Sequence, residues 1–202
     1  MKTMLKNLSL MLALLISLCS CLELDIWVNP ISDVQDAKVD KRLIGTWVTA
    51  KDPKSKNMIH IYEIDEHTIY LVSIDPKDKC EQEYNEAFMS RVDGRTFLNW
   101  RIFDCSKKEF SRYYIFEYEF NGENEVALYL NSYAFVEEAI KNKRLSVNTD
   151  DDGEVVVTAT SAEIREFIKN SPKEKLFYRD DPLILKRFER PKVAKKSICI
   201  LF

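Results

Sequence analysis

Two histidines, one acidic run and five cysteines are the residues of this 202-residue chain best equipped for catalysis, metal binding or modification. His60 and His67 are its only histidines, so a Ser-His-Asp or Cys-His mechanism would have to use one of them. Neither sits near a nucleophile elbow, and no His-Glu-x-x-His occurs. Both fall in strand-like stretches with polar edges, so no catalytic residue is assigned. Asn148-x-Asp150-x-Asp152-Gly153 has the closely spaced oxygen ligands and glycine turn of the first half of a calcium loop. The twelfth position of such a loop supplies a bidentate carboxylate, and here it is Ala159. The run therefore reads as an acidic hairpin turn, and neither a metal nor another cofactor is expected.

The cysteines divide by position. Cys19 and Cys21 close an uncharged run over residues 8–18 that follows Lys2 and Lys6. Positive residues ahead of 11 uncharged ones match an export signal, and the run is too short for a bilayer span of about 20 residues. Cys80 and Cys105 flank strand-like segments and are the pair expected to form a disulfide outside the cytoplasm; two separate thiols are the alternative. No cysteine spacing resembles a zinc site. Cys199-Ile200-Leu201-Phe202, with Lys192, Lys195 and Lys196 upstream, fits the pattern for prenylation. The competing reading is an apolar tail that completes a strand or docks on the body.

Bulk composition narrows the classes further. A net charge of −3 gives no reason to expect nucleic acid as a partner. Apolar residues make up 46% and aromatics 11%, ample for one core. With four glycines in the whole chain, glycine-rich phosphate cradles are disfavoured.

These residues must be positioned by a mostly β body. Strand patterns occupy 43–50, 58–64, 68–74, 84–92, 96–103, 112–120 and 125–131, with further strands over 154–159 and 183–188. Asp93-Gly94 and Asn121-Gly122 suit tight hairpins, because both residue types tolerate positive φ. Tyr114, Phe116, Tyr118 and Phe120 share one side of a strand, opposite Tyr113, Ile115, Glu117 and Glu119; Leu98, Trp100 and Ile102 align similarly. Helical spacing runs from Tyr133 to about Lys143 with Ser132 as N-cap. Thr160-Ser161-Ala162-Glu163 opens a second helix with a capping box, stopped at Ser171-Pro172. The expected fold is mainly β (α+β): an antiparallel barrel-like or meander sheet with one or two packed helices. Residues 22–40 read as a tether or short pairing strand, partly folded back, with Trp27 placed at headgroup level.

Leu18-Cys19-Ser20-Cys21 resembles the bacterial lipobox, with Leu18 at the favoured position, Ser20 before the cut and Cys21 as acceptor; Cys19 departs from the usual small residue. That resemblance implies a signal peptide over 1–20, a lipidated tether over 21–40 and a domain over 41–202. It places the protein in a bacterial cell envelope, anchored to the outer membrane and facing the periplasm or surface. Gly45-Thr46-Trp47 resembles the Gly-x-Trp opening of lipocalin-like barrels. The resemblance implies that Trp47 closes one barrel end and that an arginine near the last strand, Arg187 or else Arg190, packs over it. The mid-chain Thr-Asp-x-Tyr segment of that family is missing, and the strand between two helices departs from its order. The expected function is non-enzymatic binding of a small apolar ligand or another envelope protein. The alternatives are a hydrolytic or transfer enzyme using unassigned carboxylates, and a secreted effector with a prenylated tail.

Overall fold

The structure, a computed structural model, describes residues 27–50, 58–74, 83–104, 109–150 and 153–188. Seven strands follow one another as a meander: β1 (Gly45–Thr49), β2 (Met58–Glu63), β3 (Thr68–Ile74), β4 (Glu83–Val92), β5 (Arg95–Asp104), β6 (Glu109–Phe120) and β7 (Glu125–Leu130). The chain then leaves the sheet through helix α1 (Tyr133–Lys141), a hairpin of β8 (Val147–Thr149) and β9 (Val155–Val157), and helices α2 (Ser161–Lys169) and α3 (Lys173–Leu176). It returns as β10 (Leu183–Arg187), which inserts between β7 and β1 and closes an eight-stranded antiparallel barrel.

Alternation along each strand builds two apolar layers rather than one. Inward residues, among them Trp47, Ile61, Leu71, Met89, Leu98, Phe116, Tyr118 and Leu185, fill the barrel. Outward residues Val92, Phe97 and Ile115 belong to a second cluster with Val136, Ile164, Phe167 and Phe177. That outer cluster is why β6 carries Tyr113 and Ile115 on the face opposite Tyr114 and Phe116.

Local chemistry sets the ends of the elements. Asp93 and Gly94, both at positive φ, form the two-residue turn between β4 and β5. Asn121-Gly122 lies instead in a four-residue connection, with the Asn121 N–H donating to Glu125 O. Both halves of the Thr160–Glu163 capping box are present at α2. Ser132 precedes α1 without a side-chain cap, its N–H instead donating to Leu176 O. Pro172, expected to stop the second helix, is the N-cap of α3, a third helix beyond the one or two expected.

Of the two forms expected for this segment, residues 27–40 take the pairing, folded-back one, and only the headgroup placement of Trp27 is corrected. Trp27 is 3% exposed and Ile31 fully buried, so this segment belongs to the folded body and Trp27 is not free for a headgroup layer. Its backbone bridges Tyr113 of β6 and Val157 of β9. Two apolar side chains lying against the outer cluster account for the docking, since burying each stabilises the folded state by about 1.5–3 kcal/mol. Among the described residues, no helix is long and apolar enough to cross a membrane.

Candidate functional site

The site begins with what fills the barrel at one end. Trp47 lies opposite Arg187 in the β1–β10 register, and the Arg187 guanidinium sits 4.5 Å from the indole centroid. Its Nη1 donates to Ile44 O (2.9 Å) and its Nη2 to Arg42 O (2.6 Å), while Trp47 Nε1 donates to Leu43 O (2.7 Å). Gly45 makes room for this: its φ is +141°, and a Cβ there would meet Arg187 Nη1 at 2.5 Å. Gly45, Trp47 and Arg187 are thus brought together. Arg190 lies outside the described residues. An arginine over an indole contributes about 0.5–2 kcal/mol, which makes this arrangement a structural closure.

A polar cap sits on the same end. The 3-10 turn Lys41–Leu43 is capped by Asp40, whose carboxylate accepts from Arg42 N, Nε and Nη2. Tyr118 O–H, on an almost fully buried ring, donates to Asp40 Oδ2 at 3.3 Å. Burial raises the Asp40 pKa, but the Arg42 hydrogen bonds and charge outweigh it and hold the group below its ordinary value. Burial first, and then the Asp40 charge, push the Tyr118 phenol far above the tyrosine range, so it stays a neutral donor. Arg42 also lies 4.2 Å from the Phe120 ring centroid.

The opposite half of the barrel is built differently. Ile59, Trp100, Tyr114, Leu130 and Leu183 pack on the interior cluster but are only partly buried. Trp100, Tyr114, Leu130 and Leu183 lie in the halves of their strands remote from Gly45, whereas Ile59 faces Trp47 across the β1–β2 register. Trp100 and Phe116 have centroids 5.7 Å apart and form an aromatic wall. Fully buried Trp47, Tyr118 and Leu43 occupy one end, with Val39, Ile44 and Phe120 partly buried around them, while the other half carries Trp100, Tyr114, Leu130 and Leu183 in the same partly buried state.

Outside the barrel, the 27–40 segment crosses β4 and β5 as a strap held by side chains. Asn99, fully buried, accepts from Ile31 N (2.9 Å) and donates to Phe88 O and Ser90 Oγ. Ser32 and Ser90 share a hydrogen bond, Ser161 Oγ donates to Pro30 O (2.7 Å), and Arg165 Nη1 donates to Ile31 O. Between strap and barrel lies a groove of about 420 Å³, whose lining includes Asp33, His67, Glu86, Phe88, Arg101 and Tyr113.

A second polar cluster pins the helical layer. Glu117, 1% exposed, accepts both Arg95 Nε (3.0 Å) and Nη2 (2.6 Å) and is also paired with Arg179. Glu119 accepts from Lys173 and Arg179, whose cations outweigh burial and lower its pKa. The Arg179 guanidinium lies 4.0 Å from the Tyr129 ring centroid. Every residue of the cluster is engaged with another, which ties the helical layer to β6.

The remaining residues singled out from the sequence are dispersed. His60 Nδ1 lies 2.9 Å from Thr46 Oγ1 on an exposed strand position. His67 Nδ1 lies 2.7 Å from Ala37 O, which can only accept, so that nitrogen carries the proton. Asp150 of the acidic run pairs with Arg112 and accepts from Glu154 N; residues 151–152 lie outside the described residues. Cys21, Cys80, Cys105 and Cys199 all lie outside them too. The strap, its groove and the Glu117 cluster were missed in the sequence. Ile115 on the polar side of β6 was their one visible signal.

This geometry defines the molecule as an eight-stranded antiparallel β-barrel with a helical layer and a strapped outer wall. No protein-family model, curated protein or solved structure matches the chain significantly.

Proposed function

We propose that this chain is a lipid-anchored binding module of a bacterial envelope, and that its barrel takes a small apolar molecule into the half remote from Trp47. The observation that carries the reading is the asymmetry of the interior. Trp47, Tyr118 and Leu43 are buried at one end, with Ile44 and Phe120 partly buried at its rim, whereas Trp100, Tyr114, Leu130 and Leu183 leave apolar surface accessible at the other without a fully buried tryptophan among them. Eight-stranded barrels are wide enough to hold one small ligand. The Gly45–Trp47–Arg187 closure supports a lipocalin-like reading of that barrel, and partly buried apolar side chains gain by covering themselves with a ligand.

The anchor is read from Cys21. Trp27 is six positions along the chain from it, so a rise of about 3.3–3.6 Å per residue holds the body within roughly 20 Å of an acylated thiol. A ligand exchanged with the membrane then has a short path to the barrel.

The test is a titration of the purified chain with a fluorescent fatty acyl probe, read in parallel on native tryptophan emission. Saturable uptake at one site is expected. Leu183→Arg, which places a charge in the accessible half, is expected to weaken uptake tenfold or more while the unfolding transition persists. Absence of saturable uptake, or uptake indifferent to Leu183→Arg, contradicts the apolar-ligand reading. Intact mass of the membrane-extracted protein tests the anchor: leader removal with acyl addition at Cys21 is expected, and an unprocessed chain contradicts it.

A further inference from the structure

We propose that the groove between the strap and the barrel wall is a separate binding site for a small organic cation with an aromatic or apolar body. At about 420 Å³ it falls within the size range of small-molecule pockets, roughly 300–1,000 Å³. It is also a built feature. Strap and barrel are fixed to each other by Asn99, Ser90 and the His67–Ala37 contact, so the walls exist before any ligand arrives.

The lining selects the ligand's charge. Among the described residues the lining holds three carboxylates, Asp33, Asp65 and Glu86, against Arg101 and the imidazole of His67. Two of the three are occupied. Asp65 Oδ1 accepts from His67 N and Thr68 N, and Glu86 is shared by Tyr70 O–H and Arg101 Nη1, each at 3.3 Å. Asp33, an exposed residue of the strap at the groove's edge, caps nothing with its side chain and has no ion-pair partner among the described residues. It is the carboxylate left to receive a cation. Phe88 and Tyr113, ring planes 86° apart and centroids 6.1 Å apart, supply the aromatic part of the lining for the ligand's body. An anion would meet the Asp33 charge, and a purely apolar molecule would bury polar groups without replacing their water.

The experiment titrates the full chain calorimetrically with phenethylamine, with phenylacetate and with 2-phenylethanol, molecules of similar shape and different charge. Saturable binding of the amine alone is expected. Asp33→Asn should weaken it about two- to fivefold, the scale of a partly exposed ion pair. Leu183→Arg, on the barrel's interior side, should leave amine binding unchanged. Equal binding of all three probes, no binding of the amine, or amine affinity lost in Leu183→Arg would overturn the proposal. The probe comparison on the unsubstituted chain decides even where a variant fails to fold.

Discussion

Gly45 is the position where a single atom would disturb most. Its φ of +141° disfavours any L side chain, and an added Cβ would collide with Arg187 Nη1. Gly45→Ala should therefore destabilise the fold by about 1–3 kcal/mol in urea unfolding, and an unchanged midpoint would contradict the closure described for Trp47. Asp40 gives a prediction in pH. Its pKa in the folded protein lies below its ordinary value, because Arg42 outweighs burial. A depressed carboxylate contributes stability that is complete above the unfolded pKa of about 3.9 and disappears as pH falls through the folded value. Unfolding midpoints of the unsubstituted chain should fall more steeply below about pH 4 than those of Asp40→Asn, and parallel curves would remove Asp40 from the account.

At the scale of elements, the strap and the helical layer rest on few side chains. Asn99→Ala deletes the acceptor of a buried Ile31 N–H and the donor to Phe88 O. The cost is about 1–3 kcal/mol, with faster amide hydrogen exchange at Ile31; unchanged exchange there would show that the strap is held by other means. Thr160→Ala should cost about 0.5–2 kcal/mol through loss of the capping box, read by the same unfolding. The α2 cap was legible because it is written in four consecutive residues. The strands were legible because period-two alternation of bulky side chains survives without knowledge of partners. The position of β10 between β7 and β1 was not, since pairing 55 positions back, from Leu183 to Leu128, and 140 back, from Arg187 to Trp47, leaves no local mark. The strap was hidden for a related reason. Trp27 and Ile31 alone look like scattered apolar residues until Asn99, 68 positions from Ile31, captures the backbone between them. The groove that the strap creates was equally invisible. By contrast, the grouping of Gly45, Trp47 and an arginine, Arg187 or Arg190, was implied by the resemblance that Gly45-Thr46-Trp47 carries rather than read from periodicity.

For the whole molecule, the consequence is a barrel with two unequal interior halves and an outer wall roofed on one side by strap and helices. Because the folded body includes Trp27, a lipid on Cys21 would lie only six positions along the chain from it, so the barrel would stand close to its membrane rather than at the end of a long leash. The most direct measurement of the binding role is native mass spectrometry of the protein extracted gently from its own cells. The account predicts a bound small apolar molecule that is released on denaturation and depleted in Leu183→Arg. Protein mass alone, from a preparation that also takes up no acyl probe, would contradict it.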